Sequence, residues 1–217
     1  MSQARHDIAL IDPNDVLILL IDHQSGLLQT VQDISARELR TNTAVLARVA
    51  TLLNIPVVIT ASVPEGPNGP LIPEVAQQAP NARFVPRQGE INAWDNPDFV
   101  KLVRKAGRKT LIIAGIWTSV CVAFPAVSAR IEGFQVYGVV DASGDVSWMA
   151  SQITLARLAQ AGVIPISTNA VVADLQKTWN RPDAMEFAEL YAEVAPSYRA
   201  LIELHRQAMD ITGASKP

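Results

Sequence analysis

Residues 111–130 read LIIAGIWTSVCVAFPAVSAR, and this stretch decides the fold. It opens as a continuous apolar run bounded by Gly115, the pattern of a strand buried on both faces, and continues past Thr118 and Ser119 as an Ala- and Val-rich helix. The chain's single cysteine, Cys121, falls at that junction. A thiol in the first turn of a helix faces free backbone N–H groups and the positive end of the helix dipole, so the position predicts a lowered thiol pKa. Pro125 supports the placement, because it cannot donate the hydrogen bond that the Cys121 carbonyl would otherwise accept. The plainer alternative is that Cys121 is a small buried hydrophobe.

Outward from this stretch, strand and helix signals alternate. Upstream, Val16–Asp22 and Pro56–Ala61 read as buried strands and Arg83–Pro86 as a brief third one. Ala36–Leu53 carries helical spacing, with Leu39, Val45, Leu46, Val49 and Leu53 on one side. Between them, Ser62–Pro73 is too rich in Pro and Gly for either element and predicts a loop with a short helix beyond it. Asn96-Pro97-Asp98 supplies a cap, a Pro at the first helical position and an acid in the first turn, predicting a helix to about Ala106. Downstream come a strand at Gln135–Asp141, a helix at Trp148–Gly162 and a sixth strand at Val163–Ser167. Helices at Asn169–Trp179, Asp183–Glu193 and Pro196–Asp210 follow. This order predicts an α/β fold, a doubly wound, Rossmann-like parallel sheet of six strands with helices on both faces. Residues 1–217 are expected to form one domain with a helical C-terminal segment at about 180–210.

Composition narrows the function. The 217 residues are 49% hydrophobic and 18% charged, enough to bury a sizeable core. A net charge of −3 without a basic run argues against nucleic acid or an anionic membrane as partner. One cysteine cannot close an internal disulfide, residues 1–15 lack an apolar signal core, and no run is apolar enough to span a bilayer; cytoplasmic residence is the expectation.

Open parallel sheets bind ligands at the carboxyl ends of their strands. Strand one ends in Asp22-His23-Gln24, strand three runs into Arg87, and strand four delivers Cys121. A thiol that attacks an electrophilic carbon, an acid that takes its proton and a cation that fixes the acid would then share one rim. Each residue has a plainer alternative: Asp22 as a turn residue, Arg87 as a solvated loop charge, His23 as a local hydrogen-bonding group.

LLIDHQSGLL, INAWDNPDF and AGIWTSVCVAFPA, in collinear order with TASVPEGPNGPLIPE and VVDASGD, resemble the isochorismatase-like cysteine hydrolases and their YcaC-type subgroup over roughly residues 10–170. The resemblance implies Asp22 as general base, Cys121 as nucleophile and Arg87 in the basic position. It further implies a cis peptide at Ile116-Trp117 and an oxyanion hole from the Trp117 and Cys121 amides. His23, Gln24, Phe84, Asn92, Trp94 and Trp117 are expected to line the substrate pocket. A homo-oligomer, with an octamer favoured, also follows from the resemblance, and the apolar surface of the C-terminal helices agrees.

Two departures qualify it. Most branches of the family carry Lys where Arg87 stands, and a guanidinium does not readily release a proton. Nicotinamidases of the family hold a divalent metal through an Asp and His residues near the second strand; here the histidines are His6, His23 and His205, so no metal and no other cofactor is expected. The resulting expectation is a metal-independent cysteine hydrolase of a small amide or related C–N bond, acting on a small-molecule substrate through a thioacyl-enzyme. The alternative is a non-catalytic or redox-sensing α/β scaffold with a vestigial triad.

Overall fold

The computed structural model describes residues 10–212; His6 lies outside them. Six parallel strands form one sheet in the order β3-β2-β1-β4-β5-β6: Val16–Ile21 (β1), Val57–Ser62 (β2), Arg83–Arg87 (β3), Thr110–Gly115 (β4), Gln135–Val139 (β5) and Ile164–Ile166 (β6). The central strands β1 and β4 are buried at every position, as a strand covered on both faces must be.

Two apolar layers flank the sheet. One joins Ile18 and Leu20 of β1 to the helices Ala36–Leu52 (α2), Thr168–Gln176 (α7) and Ala184–Val194 (α8). The other joins Leu17, Leu19 and Ile21 to Pro97–Lys105 (α4), Ala123–Ile131 (α5) and Trp148–Gln160 (α6). Alternate β1 side chains therefore serve opposite layers, as the two-residue period of a strand dictates. Short helices at Ser25–Leu28 (α1) and Pro73–Gln78 (α3) lie in the first connections, and Pro196–Thr212 (α9) packs on α8. Ser35 caps α2 and Asn96 caps α4, each accepting a hydrogen bond from the amide three residues on.

The register aligns the carboxyl ends. Ile21 lies opposite both Thr60 and Gly115, and Ser62 opposite Arg87. The sheet winds outward in both directions from β1 and β4, so the switch point lies between the ends of these two strands. One expected element differs. The helix after β4 opens with a π turn over Thr118–Val122, in which the Trp117 carbonyl accepts from the amides of Val120 (3.2 Å), Cys121 (2.7 Å) and Val122 (3.3 Å). Pro125 lacks the N–H that would close a regular turn onto Cys121, and such widened turns recur at functional sites.

Candidate functional site

Asp22 leaves β1 with a positive φ of 57°, a conformation Asp tolerates better than most residues, and this turns its carboxylate toward β3. Both oxygens are held by Nη2 of Arg87, and Oδ1 also accepts the Ser62 amide at 2.9 Å. The pair is sealed from solvent, with side-chain exposures of 0% for Arg87 and 2% for Asp22. The remaining guanidinium hydrogens are also engaged. Nε donates to Thr60 Oγ1 at 3.1 Å, and Nη1 donates to the carbonyls of Glu90 and Ile91. All three guanidinium nitrogens of Arg87 are thus engaged by the protein. Its work here is to hold the acid and the 88–91 loop.

Cys121 faces this pair. It is 8% exposed, and burial followed by the charge of Asp22 and a hydrogen bond to that carboxylate pushes its pKa well above the ordinary thiol value. Arg87 and the backbone act in the opposite direction and lose. This corrects the lowered pKa expected from the helix entrance: desolvation and a facing anion outweigh the first-turn dipole. The site therefore favours the thiol form of Cys121 beside the Asp22 carboxylate.

The Ile116–Trp117 peptide is cis. Trp117 lies at the entrance of the π turn, with its indole Nε1 donating to Thr30 Oγ1 at 2.6 Å. The Cys121 amide is committed to the Trp117 carbonyl, so it could serve an oxyanion only by sharing that hydrogen bond.

The expected pocket residues divide. Gln24 is beside the cluster and shares the Ser62 amide with Asp22, but its own amide is spent on the carbonyls of Ser62 and Gly69, which fastens the loop after β2. His23 is wholly buried and turns away to the carbonyl of Ala142 at 2.9 Å. Phe84 alternates with Val85 and Arg87 along edge strand β3, so it points to the opposite face of the sheet and is 48% exposed. Asn92 donates to Ser128 Oγ at 3.1 Å, and Trp94 donates to Glu132 at 2.8 Å while its ring packs edge-on against Phe99 and Phe134. Ser128 and the cap residue Glu132 lie toward the far end of α5 from Cys121, roughly 10 and 16 Å along the helix axis, so Asn92 and Trp94 brace that end through these partners.

Four residues absent from the expected set take part: Thr60 and Ser62 at the end of β2, Ser119 within the π turn and Asp145 beside it. Thr60 and Ser62 sit on the same strand-end rim that located Asp22, and that rim was the signal available for them. Among the described residues no group of three His, Cys, Asp or Glu side chains gathers where it could hold a metal, so the residues present do not fit the divalent ion of the metal-bearing branches. No helix among them is long and apolar enough to cross a membrane.

A model of the isochorismatase domain matches residues 16–170. The chain belongs to the isochorismatase family. Within the isochorismatase family it is similar to the protein named Probable hydrolase YcaC of Escherichia coli K12, at 45% identity over 88% of this chain and 92% of that one. The solved structure of that gene product, described as an octameric hydrolase of unknown specificity, superposes with a TM-score of 0.89 at 43% identity, covering 92% of this chain and 98% of the other. YcaC from Pseudomonas aeruginosa, solved with hexane-2,5-diol and covalent acrylamide, gives 0.88 at 42% identity over 91% of this chain and 98% of that one. These relationships place the chain in the YcaC-type subgroup and make it a hydrolase.

Proposed function

We propose that this isochorismatase-family hydrolase cleaves a small amide or related C–N bond through a thioacyl-enzyme on Cys121, with Asp22 as general base and no metal. The observation that carries the reading is the thiol held against a carboxylate whose position is fixed by Arg87 and the Ser62 amide. As sulfur attacks the carbonyl carbon, its proton passes to Asp22; the same proton then goes to the departing nitrogen, whose bond to carbon breaks. A water attacks the thioester, Asp22 takes its proton, and that proton returns to sulfur as the acid leaves. A high thiol pKa suits this sequence, because transfer coupled to attack needs the proton on sulfur beforehand. Arg87 keeps Asp22 oriented and balances its charge. Covalent acrylamide in the Pseudomonas aeruginosa relative supports a reactive nucleophile in this subgroup. The octameric Escherichia coli relative supports a homo-octamer of this chain.

The burial of Cys121 favours one rival, an inert thiol in a binding scaffold. Both are tested by screening small amides and imides with the wild type and Cys121→Ser, in the presence and absence of EDTA, with mass spectrometry of the quenched enzyme. The expected result is EDTA-insensitive turnover, an acyl adduct on Cys121 and no activity in Cys121→Ser. A thiol that reacts with electrophiles only after denaturation would establish the scaffold instead.

A further inference from the structure

The segment following β5 grips the start of the nucleophile turn through three successive residues. Ser143 Oγ accepts the Gly115 amide at 3.1 Å, and the Gly144 carbonyl accepts the Thr118 amide at 2.9 Å. Asp145 then takes Ser119 at both ends: Oδ2 accepts its amide and Oδ1 its hydroxyl, each at 2.9 Å. Oδ1 also accepts the Val146 amide at 2.9 Å. Asp145 is itself anchored, its amide donating to Asp33 Oδ1 at 2.7 Å and its carbonyl accepting the Gln32 amide at 2.9 Å. The grip is tight, since a Cβ on Gly144 would lie 2.7 Å from a methyl of Val31.

Asp145 is fully buried and enters no ion pair among the described residues. A buried carboxylate is costly unless hydrogen bonds satisfy it, and here two backbone amides and a hydroxyl do so. An amide side chain would turn a donor toward one of those three donors, so only a carboxylate fits them all. The π turn has no side-chain cap of its own, and its early N–H groups are met instead by Gly144 and Asp145, a segment more than twenty residues away in sequence.

We propose that Asp145 is a positioning residue for Cys121: by clamping Ser119, two residues before the nucleophile, it sets the height and rotation of the π turn that bring the sulfur to Asp22. This deepens the function proposed above and rests on it. The residue touches neither thiol nor substrate, so it acts through the Cys121–Asp22 contact.

The test is the pH midpoint of Cys121 alkylation by acrylamide, followed by intact-mass spectrometry, in the wild type, Asp22→Asn, Asp145→Asn, Ser119→Ala and the Asp22→Asn/Asp145→Asn double variant. Asp22→Asn removes the facing anion and is expected to lower the midpoint by roughly one pH unit or more. Asp145→Asn should lower it part of the way, Ser119→Ala less, and Asp145→Asn should add nothing in the Asp22→Asn background. A clamp that merely stabilises the fold would, when lost, expose the thiol and lower the midpoint further in the double variant; that additivity overturns the proposal. So do wild-type midpoints in both Asp145→Asn and Ser119→Ala, and should Asp145→Asn not fold, Ser119→Ala decides alone. An Asp22→Asn midpoint equal to that of the wild type would instead sink the catalytic pairing, which separates the two failures.

Discussion

Asp22 and His23 are consecutive and both buried, yet they leave β1 for opposite faces of the sheet. On the side covered by α4, α5 and α6, Asp22 meets Arg87, the Ser62 amide and the thiol of Cys121. On the side covered by α2, α7 and α8, His23 donates Nε2–H to the Ala142 carbonyl, and its Nδ1 has no hydrogen-bond partner among the described residues. One face keeps a charge by compensating it. The other keeps a titratable ring by denying it charge: burial lowers the His23 pKa to about 4. The difference shows that desolvation alone leaves His23 uncharged, whereas Asp22 is buried together with a cation and a fixed amide.

The largest effect should come from breaking the compensation. Arg87→Met leaves a carboxylate buried without its cation, and a loss of about 3–5 kcal/mol in denaturant unfolding is expected, with turnover lost and the alkylation midpoint raised. Arg87→Lys restores a charge but offers three donors in place of five, so it should fall between wild type and Arg87→Met in both readouts. Equal behaviour of all three would remove Arg87 from the site.

Asp22→Asn is next. It keeps shape and hydrogen bonding but cannot take a proton, so turnover on any substrate found should fall by about 10²–10⁴-fold while the thiol titrates at lower pH. A drop in turnover with no change in the titration would separate base from thiol and contradict the pairing.

On the opposite face the effect is smaller and pH-dependent. Unfolded His23 takes up a proton as pH falls below about 6.5, whereas in the fold it resists protonation until about pH 4. Its contribution is therefore present above pH 6.5 and lost as pH falls through 4. His23→Gln should flatten the fall in the unfolding midpoint across that window, and an unchanged slope would show that another group drives acid unfolding. Smallest is Ser35→Ala, which removes the α2 cap at a cost of about 1 kcal/mol and should leave the Cys121 titration unchanged.

The sheet was legible because buried parallel strands announce themselves as apolar runs: the expected Val16–Asp22 and the run from Leu111 to Gly115 match β1 and β4 to within one residue. Strand-end chemistry was legible in part for the same reason, since Asp22 and Cys121 follow such runs, whereas Arg87 ends the short, largely exposed edge strand RFVPR. Side-chain direction was not. Phe84 and Arg87 are both on β3, and only the three-residue offset between them, read with a known register, puts them on opposite faces. Asn92 and Trp94 sit in a loop whose partners on α5 no local pattern reveals. The thiol pKa was misjudged because a helix entrance can be read from sequence, whereas burial and a facing carboxylate are tertiary facts. Asp145 lay in plain view in VVDASGD, but its partner Ser119 is 26 residues away.

The spread of Arg87's contacts over β2 and the 88–91 loop bears on how this site can change over time or by engineering. Exchanging its side chain for the Lys of other branches is a single codon step in name only, since Thr60 and the Glu90 and Ile91 carbonyls would each lose a donor at once. A route between the two site types therefore runs through the 88–91 loop. Libraries that randomise position 87 together with that loop and Thr60 should yield working lysine variants, while libraries confined to position 87 stay at arginine.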